Sequence, residues 1–441
     1  MRRLLAFLLL PILVPALVPA GAAGQPAEPD GQWGAWTTTL ASASIEPVPG
    51  AANALAVPLT RPKTAEFTVL YADEFPPAAR TAFDYAVSIA ERLVTSEAEI
   101  IIEAFFTPLA GGTVGSSRSR WNLQDPEEDP DLPLQGVYYP ASLATAIRGA
   151  RLDDMPDMQV SLNSSEPWYY GTDGRPGAAT DFVTTALHEI VQQFGITSSL
   201  TPAGIAGRPT VFDTFIRGSS GELLTKLPAA VAGAEATGNA LAFDGPATRV
   251  ASGGIAVPLY APAEWKQGSS ASHLDADVYE PPDANSLLGP YVYYGWATHD
   301  PGPIISAMLK DIGWTVPGLG TAARLSISAV PSMVESATGR RFDVRVRVLD
   351  PVGALVRADE SSIVTMLLYG SLEGFNPGWT CGGGTRTVID GIAVFPSCSI
   401  TGTGRVYFRA STPGLVDGAS HVINVVPKVR QVVLPHLARM R

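Results

Sequence analysis

The chain has 441 residues, of which 46% are hydrophobic and 16% are charged. This composition supplies enough apolar surface for a core and excludes an intrinsically disordered chain. The net charge of −12 disfavours a nucleic-acid-binding surface. Glycine and proline are frequent, at 43 and 38 residues, which suits an exported protein rich in loops and β-structure.

The first 22 residues have the pattern of a signal peptide. Arg2 and Arg3 precede the apolar run Leu4–Val18, and a small-residue cleavage site follows at Ala20-Gly21-Ala22. The run is short for a membrane span, and no later run reaches about 18 apolar residues. We predict secretion with cleavage near Ala22 and no membrane span. An uncleaved N-terminal anchor is the alternative.

Composition and periodicity divide the rest of the chain into five parts: an arm at 23–62, a domain at 63–316, a linker at 317–322, a β-rich domain at 323–427 and a tail at 428–441. The arm is rich in proline, alanine and glycine and is expected to have little structure. The first domain opens with a strand at Glu66–Tyr71, a helix that begins at Pro77, and a strand at Ala98–Phe106. Strand, helix and strand over this length predict a βαβ-like unit. The polar stretch Gly111–Pro133 predicts a loop.

A helix is predicted from Asp181 to Phe194. Apolar residues recur on one face at helical spacing, Asp181 can cap the start, and Gly195 can end the helix. Shorter helices are predicted at Ser142–Arg148 and Pro303–Gly313, and a further strand at Met158–Leu162.

From Ala323 the pattern changes to alternating strands separated by turns. Six are predicted, at Arg324–Ala329, Arg341–Leu349, Ser362–Leu368, Thr387–Ala393, Arg405–Ala410 and His421–Val426. Their spacing is typical of a β-sandwich. Cys381 and Cys398, the only cysteines, are expected to form one disulfide in an exported protein. A two-cysteine metal site is the weaker alternative.

The chemistry is concentrated in His188-Glu189-Ile190-Val191-Gln192. Zinc hydrolases use a helix carrying His-Glu-x-x-His, because positions i and i+4 share a face and bring both imidazoles to one zinc ion. The glutamate then serves as general base for the metal-bound water. Here Gln192 occupies the second histidine position. Its amide oxygen is either a weak zinc ligand or a polar group that has lost the ligand role.

Several blocks resemble secreted bacterial zinc metallopeptidases of the metzincin type, with leishmanolysin-like spacing. They are Trp168–Gly174, Thr180–Glu189, Gly268–Asp275, Asn285–Pro290, His299–Pro303 and Leu309–Trp314. The resemblance implies an α+β metzincin-like catalytic domain, with a twisted sheet and a zinc helix. It also implies that His273 is the third zinc ligand and that Leu288 occupies the Met-turn position. Residues 323–426 resemble bacterial immunoglobulin-like domains, which implies an all-β immunoglobulin-like sandwich.

The resemblance implies a secreted zinc metalloendopeptidase acting on a protein or peptide substrate. His188, His273 and Gln192 would hold one catalytic zinc ion, and Glu189 would act as the base. Since Gln192 weakens the site, the alternative is an inactive pseudopeptidase that acts as an extracellular binding or adhesion protein. A carbohydrate-binding or structural surface protein is a third, weaker hypothesis.

Three further side chains have two interpretations each. His299 could replace the missing zinc ligand, but its Asp-Pro-Gly-Pro surroundings favour a structural role. Tyr291 and Tyr293 could stabilise an oxyanion, and packing is the simpler expectation. The apolar tail, with basic ends, is either a β-edge or a surface-association signal.

Overall fold

The computed structural model describes residues 33–43, 55–56, 62–72, 74–121, 131–151, 153–336 and 341–427. These residues form mostly β-structure with few helices, around two main hydrophobic cores. The predicted signal peptide and the C-terminal tail lie outside the described residues. Among the described residues, no helix is long and apolar enough to cross a membrane.

Among the described residues, six α-helices and fifteen strands precede the linker region, and most of them contribute to the first core. The helices are α1 (Pro77–Ala90), α2 (Ala141–Arg148), α3 (Phe182–Gln192), α4 (Ala229–Glu235), α5 (Pro246–Ala251) and α6 (Gly302–Asp311). The strands are β1 (Trp33–Ala43), β2 (Leu55–Ala56), β3 (Phe67–Tyr71), β4 (Ile100–Thr107), β5 (Thr113–Arg120), β6 (Met158–Asn163), β7 (Trp168–Tyr169), β8 (Thr180–Asp181), β9 (Leu200–Thr201), β10 (Gly204–Ile205), β11 (Ile216–Arg217), β12 (Ala242–Phe243), β13 (Val257–Pro258), β14 (Tyr291–Tyr293) and β15 (Thr298–His299).

A six-stranded sheet in the order β14-β1-β5-β6-β4-β3 supports the candidate site. β3 pairs with β4 in parallel, as expected for the predicted βαβ-like unit, and β4 also pairs with β6 in parallel. β5 is antiparallel to both of its neighbours, β1 and β6. Helices α1 and α3 both contribute buried apolar side chains to the first core.

Three strands of this sheet lie where the sequence predicted none, and β14 (Tyr291–Tyr293) is the shortest of them. β5 falls within the predicted loop Gly111–Pro133, and β1 falls within the arm expected to have little structure. β5 reads TVGSSRSR, so it lacks the alternation of apolar and polar residues that marks a half-buried strand. Its inward serines, Ser117 and Ser119, are buried and hydrogen-bonded. Polar partners replace apolar packing here, and the periodicity does not reveal them.

The second core belongs to a β-rich domain. Its strands are β16 (Arg324–Ser328), β17 (Met333–Glu335), β18 (Phe342–Leu349), β19 (Ile363–Thr380), β20 (Thr385–Thr387), β21 (Ile392–Ser411), β22 (Gly418–Ala419) and β23 (Ile423–Val426). The long strand β21 pairs first with β18 and then with β19, so it links two sheets. Cys381 and Cys398 form a disulfide near this crossover. The expected β-rich sandwich is confirmed in these coarse terms.

Two details of the sequence interpretation are corrected in this domain. The strand predicted at Thr387–Ala393 is instead the end of β20, a turn, and the start of β21. Asp390 in that turn has a φ of 50°, a left-handed conformation that interrupts a strand. The finer assignments, a metzincin-like catalytic domain and a bacterial immunoglobulin-like domain, gain no support from this architecture.

The two cores are joined by an aromatic cluster and a buried ion pair. Trp296 packs edge-on against Tyr407 with ring centroids 6.5 Å apart. Arg324 Nη1 donates to Asp300 Oδ1 at 2.8 Å, and both side chains are almost fully buried. An ion pair buried at such a junction fixes the relative placement of its two segments, since breaking it would leave an unpaired charge.

Candidate functional site

Helix α3 carries the predicted site residues. It runs from Phe182 to Gln192, and every one of its residues is buried. The helix ends two residues before the predicted end, and Gly195, with a φ of 116°, follows it. Such a φ favours glycine because it has no Cβ atom. The apolar face of α3 packs into the first core, which leaves the polar residues to face the loops and β5.

Three of the predicted site residues converge. His188 Nε2 lies 3.2 Å from His273 Nε2 and 3.0 Å from Gln192 Oε1. Gln192 Nε2 lies 3.3 Å from His273 Nε2. The exposed fraction is 1% for His188 and 0% for the other two. The two histidines and Gln192 thus lie together as predicted, although His188 and His273 are 85 residues apart in sequence.

Backbone carbonyls orient both imidazoles from behind. His188 Nδ1 lies 2.6 Å from the carbonyl oxygen of Leu287, and His273 Nδ1 lies 2.8 Å from that of Ser269. A carbonyl oxygen can only accept, so each Nδ1 carries the proton and each Nε2 presents a lone pair. The residues that supply these carbonyls were not predicted, because backbone acceptors leave no signal in the sequence.

The protons of this cluster cannot satisfy every contact. Both nitrogens of His188 face acceptors, the Leu287 carbonyl and Gln192 Oε1, whereas a neutral imidazole carries one proton. Reversing the amide of Gln192 does not help, because its Nε2 donates to the Ser272 carbonyl at 2.8 Å. One contact therefore joins two lone pairs in each neutral tautomer.

Burial prevents a second proton from resolving this conflict. It lowers the pKa of His188 to about 4, although hydrogen bonds from the ring to Leu287 and Gln192 act in the opposite direction. It also lowers the pKa of His273 to about 3, with a further contribution from the neighbouring His188. Both rings are therefore neutral at pH 7, and their Nε2 lone pairs point at one another.

Glu189 faces a different partner. Its Oε2 accepts a hydrogen bond from Ser117 Oγ of β5, and its Oε1 is buried with no hydrogen-bond partner among the described residues. A Cβ atom at Gly115 would collide with this carboxyl group. Burial raises the pKa of Glu189 to about 8, against the smaller, opposite effect of the Ser117 bond. The carboxyl group is packed beneath β5 and is hydrogen-bonded to neither histidine.

Other candidate residues lie around the cluster in different roles. His299 Nε2 is 2.9 Å from Asp181 Oδ1, and both side chains are fully buried, so His299 is paired away from the two histidines. Asp181 consequently makes no side-chain cap to α3, contrary to expectation. Leu288 ends a short 3₁₀ turn, Ser286–Leu288, and its carbonyl accepts from Leu274 N at 2.8 Å.

A small pocket reaches His188 from one side. It is lined by Leu40 of β1, Pro281, Tyr291, Tyr293 and Trp296, among others. Tyr291 is hydrogen-bonded to Tyr260 through their hydroxyl groups at 3.1 Å. Tyr293 and Trp296 also belong to the aromatic cluster at the domain junction. Packing therefore accounts for both predicted tyrosines.

Comparisons with known proteins do not place this chain in a family. No family model matches the sequence, and no curated protein matches it. Solved structures with partial similarity include a β-glycosidase from Bacteroides vulgatus, with 13% identity, 24% of this chain and 14% of that chain covered, and a TM-score of 0.20. A glycosyl hydrolase family 2 member from Bacteroides cellulosilyticus gives 17% identity, 27% and 16% coverage, and a TM-score of 0.20. The β-glucuronidase of Parabacteroides merdae gives 13% identity, covers 30% of this chain and 14% of its own, and has a TM-score of 0.19.

The metallopeptidase assignment is wrong on these findings. The similar solved structures are glycoside hydrolases and not metzincins, and the chain spans only 14–16% of the length of the three described. Within the described residues, no group of three or more His, Cys, Asp or Glu side chains is placed to hold a metal ion. The endopeptidase hypothesis and its pseudopeptidase alternative are not carried further. The base role of Glu189, which came from the His-Glu pattern of the helix, and the Met-turn position of Leu288 stay predictions. The small overlap with glycosidases gives no basis for assigning their activity here.

Proposed function

We propose that this chain is a metal-binding protein in which His188, His273 and Gln192 hold one transition-metal ion of the zinc class. The observation that supports this is the convergence of acceptor atoms at the cluster. With each Nδ1 protonated, the two Nε2 atoms lie 3.2 Å apart, and the amide oxygen of Gln192 lies 3.0 Å from His188 Nε2 with no proton between those two atoms. A cation among these atoms would turn a repulsive arrangement into an attractive one.

The donor set fits such an ion in type and in spacing. Imidazole is the commonest metal ligand in proteins and a regular ligand of zinc, and two nitrogens bound at 2.0–2.1 Å in tetrahedral geometry lie about 3.3 Å apart. The observed Nε2–Nε2 distance is 3.2 Å. Both rings also have the backbone hydrogen bond at Nδ1 that metal-ligating histidines commonly make. The amide oxygen of Gln192 is a harder and weaker donor, so moderate affinity is expected.

The enclosure of the cluster favours a structural role for the metal. Structural zinc sites are closed, whereas catalytic sites keep an open position for water and substrate. All three side chains are at most 1% exposed. A bound ion would tie α3 to the segment around His273, and it would stabilise the native state by mass action.

Zinc stoichiometry after dialysis against metal-free buffer and reloading tests the proposal. We expect about one zinc ion per chain, and a thermal midpoint raised by about 5–10 °C at a zinc concentration near 100 times the dissociation constant. His273→Ala should abolish both effects. His421→Ala, at an exposed histidine, is the matched control and should retain them. Absence of zinc and of any thermal shift in the unmodified protein would refute the metal centre.

We also propose that the protein is exported and cleaved near Ala22. The charged start, the apolar run and the small-residue site support this, and the Cys381–Cys398 disulfide suits an oxidising compartment. Mass spectrometry of the N-terminus after expression in an exporting host should find a chain that begins near residue 23. A chain that retains Met1–Val18 in the membrane fraction would support the uncleaved anchor instead.

A further inference from the structure

β1 occupies a slot between two other strands of the central sheet. It runs antiparallel to β5, with Thr38 opposite Ser117, and parallel to β14, with Ala41 opposite Tyr291. The strand thus comes from the N-terminal side of the domain, and its two partner strands, β5 and β14, lie 70 or more residues away in sequence. Backbone hydrogen bonds of the strand ladder therefore hold β1 on both sides, to β5 and to β14.

The inward face of β1 contacts the surroundings of the metal cluster. Thr38, 1% exposed, donates to the Ser117 carbonyl at 3.1 Å and accepts from Gln193 Nε2 at 2.8 Å. Ser117 is the residue that holds Glu189. Leu40, also 1% exposed, lines the pocket that reaches His188.

The backbone of Thr39, in the same strand, holds the segment that carries His273. Thr39 N donates to the Gly268 carbonyl at 3.1 Å, and Ser269 Oγ donates to the Thr39 carbonyl at 3.0 Å. The Ser269 carbonyl is in turn the acceptor for His273 Nδ1. β1 is therefore connected to His273 through Ser269 and to Glu189 through Ser117.

We propose that β1 is a strap that closes the centre, and that its displacement is the step that gives solvent and metal ions access to His188 and His273. The role of the strap in metal access rests on the proposed function. The opening of the strap does not. The strap itself is defined by the strand pairing and by the side chains of Thr38 and Leu40. On one side β1 is held by only a three-residue pairing with the short edge strand β14, and a segment with so few strand bonds on one side can open without global unfolding.

Carbethoxylation of histidine by diethyl pyrocarbonate tests the strap in metal-free, full-length protein. Mass spectrometry would follow each site separately. In a Thr38→Ala/Leu40→Ala variant, we expect His188 and His273 to be modified about tenfold faster or more than in the unmodified protein. Thr37→Ala, whose side chain lies on the opposite face of β1 and is only half-buried, is the matched control and should change the rates by less than twofold.

Two other histidines report on the specificity of the effect. His299 is fully buried in its pair with Asp181 and should stay protected, whereas exposed His421 should react at an unchanged rate. Unchanged modification of His188 and His273 in the double variant would overturn the strap, as would equal acceleration at His299, which indicates global unfolding. Since no metal is present, this result is independent of whether zinc binds.

A second measurement links the strap to the metal centre. In zinc-loaded protein, transfer of zinc to an excess of chelator should be about tenfold faster in the double variant than in Thr37→Ala. Accelerated modification with unchanged zinc transfer would show that the strap opens but does not control the ion, and would overturn that part of the proposal. Failure to load zinc in the unmodified protein would refute the proposed function and leave the modification result standing.

Discussion

Gln192→His is expected to lower the zinc dissociation constant of this protein by about 10- to 100-fold. Structural zinc sites bind with about 10–16 kcal/mol, so each of four ligands contributes about 2.5–4 kcal/mol. An imidazole in place of the weakly bound amide oxygen regains part of one such contribution. Each gain of about 1.4 kcal/mol lowers the dissociation constant tenfold. Positions 188 and 192 lie on one face of α3, so the new imidazole would point toward the existing pair.

Competition with a chromophoric chelator at fixed pH measures this change. Gln193→His is the matched control, because Gln193 is equally buried but faces Thr38 and Ser117 on the other side of the helix. It should leave zinc affinity unchanged or lower it through damage to that network. Equal affinities for Gln192→His and the unmodified protein would mean that position 192 does not face the ion.

Helical spacing was sufficient to predict the core of the site. The apolar face of α3 is evident in the sequence, and it leaves His188 and Gln192 together on the other side, as the structure has them. The contribution of His273 came from a family resemblance that the comparisons do not support, yet His273 does lie beside His188. A resemblance of local blocks can thus coincide with a correct juxtaposition of side chains and still imply the wrong function.

The parts of the site that escaped prediction depend on backbone atoms and on polar strands. The carbonyl groups of Leu287 and Ser269 orient the two rings, and any residue type can supply a carbonyl. β5 and β1 contain threonine and serine where an ordinary strand has valine or isoleucine, because their inward hydroxyls bond to one another and to Gln193. Periodicity detects apolar burial and gives no signal for burial that is satisfied by hydrogen bonds.

Asp213→Ala is expected to lower the stability of the first domain by about 4 kcal/mol. Asp213 is fully buried, and its carboxyl group accepts from Ser198 Oγ, from the backbone and hydroxyl groups of Ser199, and from Thr210 N. Removing the acceptor would leave several buried donors unpaired, and each costs about 1–3 kcal/mol in a non-additive way. The thermal midpoint should fall by about 10 °C.

This substitution should also weaken the metal centre, although Asp213 does not touch it. Ser198 N donates to Ser272 Oγ at 3.0 Å, and the Ser272 carbonyl holds the amide of Gln192 at 2.8 Å. Loss of Asp213 would loosen the loop at Ser198 and, through Ser272, the orientation of the amide oxygen. Differential scanning calorimetry with and without zinc would separate the two effects.

Two variants show whether the bonds of Asp213 are responsible. Asp213→Asn keeps the volume and one acceptor oxygen, so it should lose about half as much stability as Asp213→Ala. Asp277→Ala removes an exposed carboxyl group near His273 and should shift the midpoint by less than 2 °C. If Asp213→Ala shifted it equally little, the loop at Ser198 would be held by packing alone. The line of hydrogen bonds from Asp213 to Gln192 would then have no energetic role in shaping the centre.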